Sequence, residues 1–166
     1  TEQELDAIYS PVHTPVADSL NTQHSTLNTK KNVVVLIVES FGREYIGGYN
    51  KWLENGKYKG YTPFVDSLMA HSLTFKYSYC NGRKSIDGMP SILSGIPMFV
   101  EPFFLTPAAA NNVSGLAREL KNDGYHSAFF HGAENGSMGF QAFARATGFD
   151  EYFGRTEYNE DERTGG

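Results

Sequence analysis

The chain has 166 residues, of which 40% are hydrophobic and 14% aromatic, and it carries a formal charge of −5. That length and apolar content suffice for a buried core and exclude a disordered composition. The acidic balance argues against a nucleic-acid binder, and a single cysteine, Cys80, excludes an internal disulfide framework or a cysteine zinc cluster.

Residues 1–31 are rich in Ser, Thr, Asn and Pro without sustained periodicity, and read as a linker or arm. The chain then enters Val33-Val-Val-Leu-Ile-Val38. A continuous run of this kind predicts a strand buried on both faces of a parallel sheet. Its six residues fall far short of the ~20 that span a bilayer, and no signal peptide is visible, so any membrane tether is expected outside this chain. The run stops at Glu39-Ser40-Phe41-Gly42. A carboxylate at the carboxyl end of a buried strand stands where open α/β sheets bind ligands. Glu39 is read either as a solvated strand-end residue or as a metal ligand or acid/base group.

Residues 42–60, with several glycines, tyrosines and lysines, predict a loop with at most one helical turn. Thr62-Pro63 starts a helix, with Thr as N-cap and Pro at its first position. Phe64, Val65, Leu68 and Met69 follow at helical spacing and are expected to face the core. His71 reads as an exposed helix-end residue, and Leu73 to Tyr79 as an extended segment.

That segment delivers the chain to Asn81-Gly-Arg-Lys-Ser-Ile-Asp-Gly-Met-Pro-Ser-Ile-Leu-Ser-Gly95, which holds the strongest chemical signal. Two cations, Arg83 and Lys84, precede the hydroxyl of Ser85, and a short apolar helix follows, closed by Gly95. Pro90 is comfortable only in a first helical turn, so the regular helix is expected to start near Asp87 or Gly88. Ser85 then lies in the loop before it, Asp87 is a possible N-cap, and Ser91 lies inside the helix. Free N–H groups and positive charge around a hydroxyl favour an anion, or a nucleophile that attacks one. The plain alternative is that Ser85 only caps the helix.

Residues 96–112, with three prolines, predict an irregular connection. Ser114 can cap a helix from Gly115 to Asn122, with Leu116, Ala117 and Leu120 on one face and Gly124 ending it. Tyr125 to His131 predicts a strand, and His131 is a second polar group at a strand's carboxyl end, either a satisfied structural histidine or part of a site. A helix is expected over 138–147, ended by Gly148, and the acidic stretch 155–166 shows no packing signal. The order of elements predicts a three-layer α/β sandwich with a mostly parallel central sheet. No Gly-x-Gly-x-x-Gly, Walker loop or Gly-x-Ser-x-Gly elbow is present, so nucleotide-binding and serine-hydrolase readings lack support.

Taken together these stretches resemble the alkaline phosphatase/sulfatase superfamily, especially its lipoteichoic acid synthase-like, or phosphoglycerol transferase, branch. Val33 to Phe41 is similar to that branch's first strand and its Glu-Ser pair, and Thr62-Pro-Phe-Val-Asp-Ser-Leu68 to a Thr-Pro-x-Leu-Asp-x-Leu helix. Ser85 to Gly95 resembles the nucleophile loop and helix, and Leu116 to His131 the Leu-x-x-x-Gly-Tyr helix and strand that follow. The resemblance runs over residues 32–154, read as the amino-terminal part of a catalytic domain with 155–166 as a tail. It implies an alkaline phosphatase-like fold that is incomplete in this chain.

The resemblance further implies a metal-dependent phospho- or sulfo-ester hydrolase or transferase acting on phosphoglycerol-type envelope substrates. In it Ser85 is the nucleophile, Glu39 and Ser85 bind a divalent cation (Mn, Mg, Ca or Zn), Arg83 and Lys84 neutralise the transferred group, and His131 protonates or binds an ester oxygen. It implies an extracytoplasmic, membrane-tethered enzyme whose partners are its ester substrate and the remainder of its own domain. Sulfatases proper carry Cys or Ser, then x-Pro-x-Arg; Ser85-Ile-Asp-Gly-Met89 has neither the Pro nor the Arg. The alternatives are a sulfatase on sulfated glycans and a non-catalytic α/β binding module. The family's later Asp-His metal pair has no match here, so the chain alone is expected to bind metal weakly and to be nearly inactive.

Overall fold

The computed structural model describes residues 30–98 and 100–158, so the sequence expectations for 1–29 and 159–166 lie outside the described residues. The chain divides between Leu36 and Ile37 into two units. In the first, the described residues 30–36 form neither helix nor strand and are exposed.

The second unit holds a βαβ arrangement. Strand β1 (Ala128–Phe130) and strand β2 (Glu151–Phe153) pair in parallel, with Ala128 opposite Glu151, Phe129 opposite Tyr152 and Phe130 opposite Phe153. Parallel neighbours need a crossover. Helix α4 (Phe140–Ala146) lies within it, labelled after helices α1 (Pro63–Met69), α2 (Ser85–Ser94) and α3 (Leu116–Asn122). The core forms where α2 and α4 meet: Ile86, Met89 and Leu93 pack with Phe140 and Phe143, and Phe104, Phe129, Phe149 and Tyr152 close around them. The rings meet edge to face, as aromatic quadrupoles prefer: Phe104 on Phe143 at 4.9 Å and Phe129 on Phe149 at 5.3 Å. One face of the short sheet is therefore packed. On the other, Phe130 stacks on Phe153 and stays 71% exposed.

Several expectations need correction. Val33–Val38 joins no ladder among the described residues and is exposed, Val34 by 78% and Leu36 by 81%. A doubly buried strand requires ladder partners and covering layers, and the only ladder among the described residues is the two-stranded one formed by β1 and β2. Leu73–Tyr79 is likewise exposed and unpaired; its long-range tie is a hydrogen bond from Arg43 Nη1 to the Lys76 carbonyl at 2.8 Å.

Helix α1 starts at Pro63 behind Thr62 as expected, but the Thr62 hydroxyl makes no cap bond and reaches the Tyr45 carbonyl instead. Phe64 and Leu68 are exposed, because the side of α1 that meets the turn Gly47–Tyr49 carries Asp66 and Met69 instead. There Asp66 Oδ1 accepts the Gly48 N–H at 2.7 Å.

The region 42–60 is more ordered than a loop. It folds into short 3-10 turns, Arg43–Tyr45, Gly47–Tyr49 and Leu53–Gly56, closed by an antiparallel bridge between Ile46 and Gly60. Asn50, nearly buried, donates to the Arg43 and Ile46 carbonyls and satisfies the turn from inside.

Helix α2 begins at Ser85, two to three residues earlier than the start at Asp87 or Gly88 expected from Pro90. Pro90 therefore sits inside the helix rather than in its first turn, fully buried. Its ring removes one intrahelical bond, a cost that burial in the core offsets. Gly95, at φ 65, ends α2 and returns its N–H to the Ser91 carbonyl. Helix α3 begins at Leu116 with Gly115 as N-cap; Ser114 instead donates to Glu119 Oε1. The strand expected over Tyr125–His131 narrows to three residues, and β2 was not anticipated from the sequence. Among the described residues no helix is long and apolar enough to cross a membrane.

Candidate active site

Helix α2 is ten residues long and presents its amino end to solvent. Ser85 is its first residue and half-buried; Arg83 and Lys84, just before it, are exposed and have no ion-pair partner among the described residues. Ile86, the next residue, is buried and anchors this end of the helix in the core. The hydroxyl thus stands on the first turn of a helix, at its positive end, with two cations beside it. This is the electrostatic setting that lowers the cost of a developing anion. Beginning the helix at Ser85 rather than beyond it makes the setting tighter than the sequence implied.

His131 follows β1 directly, and its backbone N–H continues the ladder to the Phe153 carbonyl at 2.9 Å. Its ring lies on Phe140, centroids 4.5 Å apart and tilted by 57°. Nδ1 shares a hydrogen bond with the Tyr152 hydroxyl at 3.2 Å. That contact leaves Nε2 as the ring nitrogen available to a ligand. Burial holds the imidazole's pKa below its ordinary value, partly opposed by the negative charge of Glu39, so the ring is neutral at pH 7. Burial likewise pushes the Tyr152 phenol up, with the Glu157 charge adding to it, so its hydroxyl keeps its proton.

Glu39 is exposed and lies in a turn. The next residue, Ser40, has φ 53, a left-handed conformation uncommon outside glycine, so the chain reverses sharply just after the carboxylate.

The structure therefore brings Glu39 and His131 within electrostatic reach, and keeps Arg83, Lys84 and Ser85 together by sequence. No hydrogen bond joins Ser85 to Glu39 or His131 among the described residues. What links the two groups is the core, because Ile86 beside Ser85 and Phe140 beneath His131 belong to one cluster. As metal ligands, Glu39 and Ser85 offer a carboxylate and a hydroxyl, oxygen donors suited to a hard cation. They are too few to hold one tightly, and the described residues contain no group of three or more His, Cys, Asp or Glu side chains placed to do so.

Two participants were not read from the sequence. Tyr152 orients His131, and its signal is the aromatic run Glu151-Tyr-Phe153 before Gly154, a short strand pattern. The sequence offers Asp87 as an N-cap. Its carboxylate instead accepts the backbone N–H groups of Arg83 and Lys84 from the helix's third position.

A model of the sulfatase family matches residues 31–165. Phosphoglycerol transferase I of Salmonella paratyphi B and that of Salmonella typhimurium are each 30% identical over 138 residues, covering 78% of this chain and 17% of theirs. The chain thus spans about a sixth of the length of the curated relatives it matches. Among solved structures, an alkaline phosphatase superfamily protein from Vibrio parahaemolyticus superposes with a TM-score of 0.55 at 25% identity, covering 60% of this chain and 25% of that one. The lipoteichoic acid synthase LtaP from Listeria monocytogenes superposes with a TM-score of 0.56 at 21% identity, over 65% of this chain and 26% of that one, a likeness of fold. The chain belongs to the sulfatase family, and its α/β fold is an incomplete form of the alkaline phosphatase type.

Proposed function

We propose that the protein containing this chain is a metal-dependent phospho- or sulfo-ester hydrolase or transferase with Ser85 as its nucleophile. The observation that carries this reading is the position of Ser85 at the first residue of α2, behind two exposed cations that have no ion-pair partner among the described residues. In this reading Ser85 Oγ forms a bond to the phosphorus of a phosphodiester as the bond from phosphorus to the departing ester oxygen breaks, and the proton that Ser85 gives up ends on that oxygen, which leaves as an alcohol. An acceptor alcohol or water then breaks that new bond and regenerates the hydroxyl. Arg83 and Lys84 offset charge on the nonbridging oxygens. His131, neutral and held by Tyr152, offers Nε2 to an ester oxygen. Glu39 and Ser85 would be two ligands of a divalent cation whose other donors lie outside the described residues. Such a cation lowers the pKa of a bound hydroxyl and polarises the ester.

The relatives' name, phosphoglycerol transferase, puts phosphoryl transfer from a phosphoglycerol-type donor ahead of sulfuryl transfer. The missing Pro and Arg after Ser85 point the same way. The same reading places the enzyme outside the cytoplasm, tethered through a segment outside this chain. The test is hydrolysis of a chromogenic phosphodiester by the full-length protein with added Mn²⁺ or Zn²⁺. Ser85→Ala should reduce turnover by at least about 10³-fold, with folding unchanged. Near-normal turnover in that variant, with loss in Ser91→Ala, would overturn the assignment. Glu39→Ala should lose most bound metal while staying folded; full metal content would remove Glu39 from the site.

A further inference from the structure

We propose that Asp87 is a positioning residue that holds the Arg83–Lys84–Ser85 segment in its reactive shape. The inference rests on the reading of Ser85 as nucleophile and adds a residue that carries the geometry without touching the substrate. Asp87 is buried, only 4% exposed, which is unusual for a carboxylate outside a specific role. One oxygen, Oδ2, accepts two backbone N–H groups, from Arg83 at 3.1 Å and from Lys84 at 3.2 Å. Lys84 is the helix's N-cap, and its side chain has no acceptor to offer. The reciprocal cap that Ser or Thr would provide is therefore missing, and Asp87 supplies the side-chain acceptor for the Arg83 and Lys84 amides, while Asn81 is held separately by the Met98 N–H.

Two further observations show that the loop is built around this carboxylate. Gly82 adopts φ 96, and a Cβ placed on it would stand 2.1 Å from Asp87 Cβ and 2.9 Å from Oδ2. Glycine is thus required there twice, for its backbone angle and for the space Asp87 fills. In addition, Oδ1 is buried with no hydrogen-bond partner.

Fixing the amides of residues 83 and 84 fixes the direction in which their side chains leave the backbone and the start of the turn that carries Ser85. Without the tie, the two cations and the hydroxyl remain in the sequence but lose their common geometry. The loss should fall on the chemical step rather than on substrate capture, because correct orientation matters most in the transition state.

The experiment uses the full-length protein and three variants, Asp87→Ala, Asp87→Asn and Ser85→Ala. Backbone hydrogen exchange over residues 81–88 reads the tie directly, and steady-state phosphodiester hydrolysis reads its consequence. Asp87→Ala should lose protection at Arg83 and Lys84 and lower kcat by about 10²-fold, with KM within about threefold of the parent. Asp87→Asn keeps a carbonyl acceptor of the same shape and should restore both protection and kcat to within about tenfold. Three results would overturn the proposal: unchanged protection in Asp87→Ala, a loss confined to KM, or an asparagine variant as impaired as alanine. Ser85→Ala separates the two claims. If it keeps turnover while Asp87→Ala deprotects the loop, the nucleophile assignment has failed and the tie stands as a loop anchor with no positioning role, which also overturns the proposal.

Discussion

Val33–Val38 and the stretch from Ser85 to Phe153 are both rich in large apolar residues, and the fold treats them in opposite ways. The first is exposed along its length. The second buries Ile86, Met89, Leu93, Phe140 and Phe143 in one cluster. The difference is a difference of partners. In the second stretch, β1, α4 and β2 follow one another within 26 residues, so the crossover brings its own covering layer. A six-residue apolar run can do nothing alike by itself, since an isolated strand has neither ladder nor layer. Hydrophobic pattern states what a segment needs, and topology decides whether the need is met.

The largest effect expected from this contrast lies in the core. Phe143 is 2% exposed, and its ring receives the edge of Phe104. Phe143→Ala should lower stability by about 3–5 kcal/mol, read by denaturant unfolding. A cost under about 1 kcal/mol would mean that the cluster is not the core.

Next in size is a pH effect at the seam between α3 and β2. Asp150 accepts from Lys121 Nζ, from the Ser127 N–H at 2.9 Å and from the Ser127 hydroxyl at 3.0 Å. The Lys121 bond, then the two Ser127 bonds, hold its carboxyl well below the usual carboxylate range. A depressed carboxylate contributes stability above its unfolded value, 3.8, and loses it as pH falls from there toward the folded value. Asp150→Asn should therefore remove this stability across the neutral region and cost progressively less below about pH 4, flattening the acid limb by the same amount. Because the group is solvent-facing, salt should weaken the effect. An unchanged acid limb would remove Asp150 from the account.

The parts of this molecule that could be read from sequence are those whose signals are local. Thr62-Pro63 and Gly95 marked helix ends, and Leu116–Asn122 and Phe140–Ala146 showed helical spacing. Pro90 alone places the start of α2 too late, because the bonds from Asp87 to the preceding amides fix an earlier first turn. β2 was missed because three residues are too few for periodicity to register. Of the candidate site, the Arg83-Lys84-Ser85 cluster is legible as residues, whereas the Tyr152 contact to His131 depends on strand register, which the short pattern Glu151-Tyr-Phe153 does not specify.

A smaller effect concerns Glu39 and His131. Burial lowers the His131 pKa, and the Glu39 charge partly raises it again. Removing that charge should lower it further, so Glu39→Gln should shift the His131 titration, followed by NMR, to lower pH. The linkage sign follows. With a folded value below the unfolded 6.5, the unfolded state binds more protons, so this group subtracts stability as pH falls below about 6.5. The variant should deepen that loss slightly. A shift to higher pH would mean that the two groups are not within reach of each other.

The smallest expected effect is a null one, and it tests the opening contrast most directly. Leu36 is 81% exposed. In the 166-residue chain, Leu36→Ser should change stability by less than about 0.5 kcal/mol, since surface substitutions away from packed features stay in that range. A loss of about 2 kcal/mol or more in this chain would mean that the run is buried and that the contrast is false. The same substitution in the full-length protein asks a separate question. The resemblance of Val33–Phe41 to a first strand implies that the run needs a partner. A large loss there, beside no loss in the 166-residue chain, would place that partner outside the described residues and show that the run is an unmet strand. Equal, negligible losses in both would leave Val33–Val38 a surface segment, and would detach Glu39 from the strand end on which its proposed role depends.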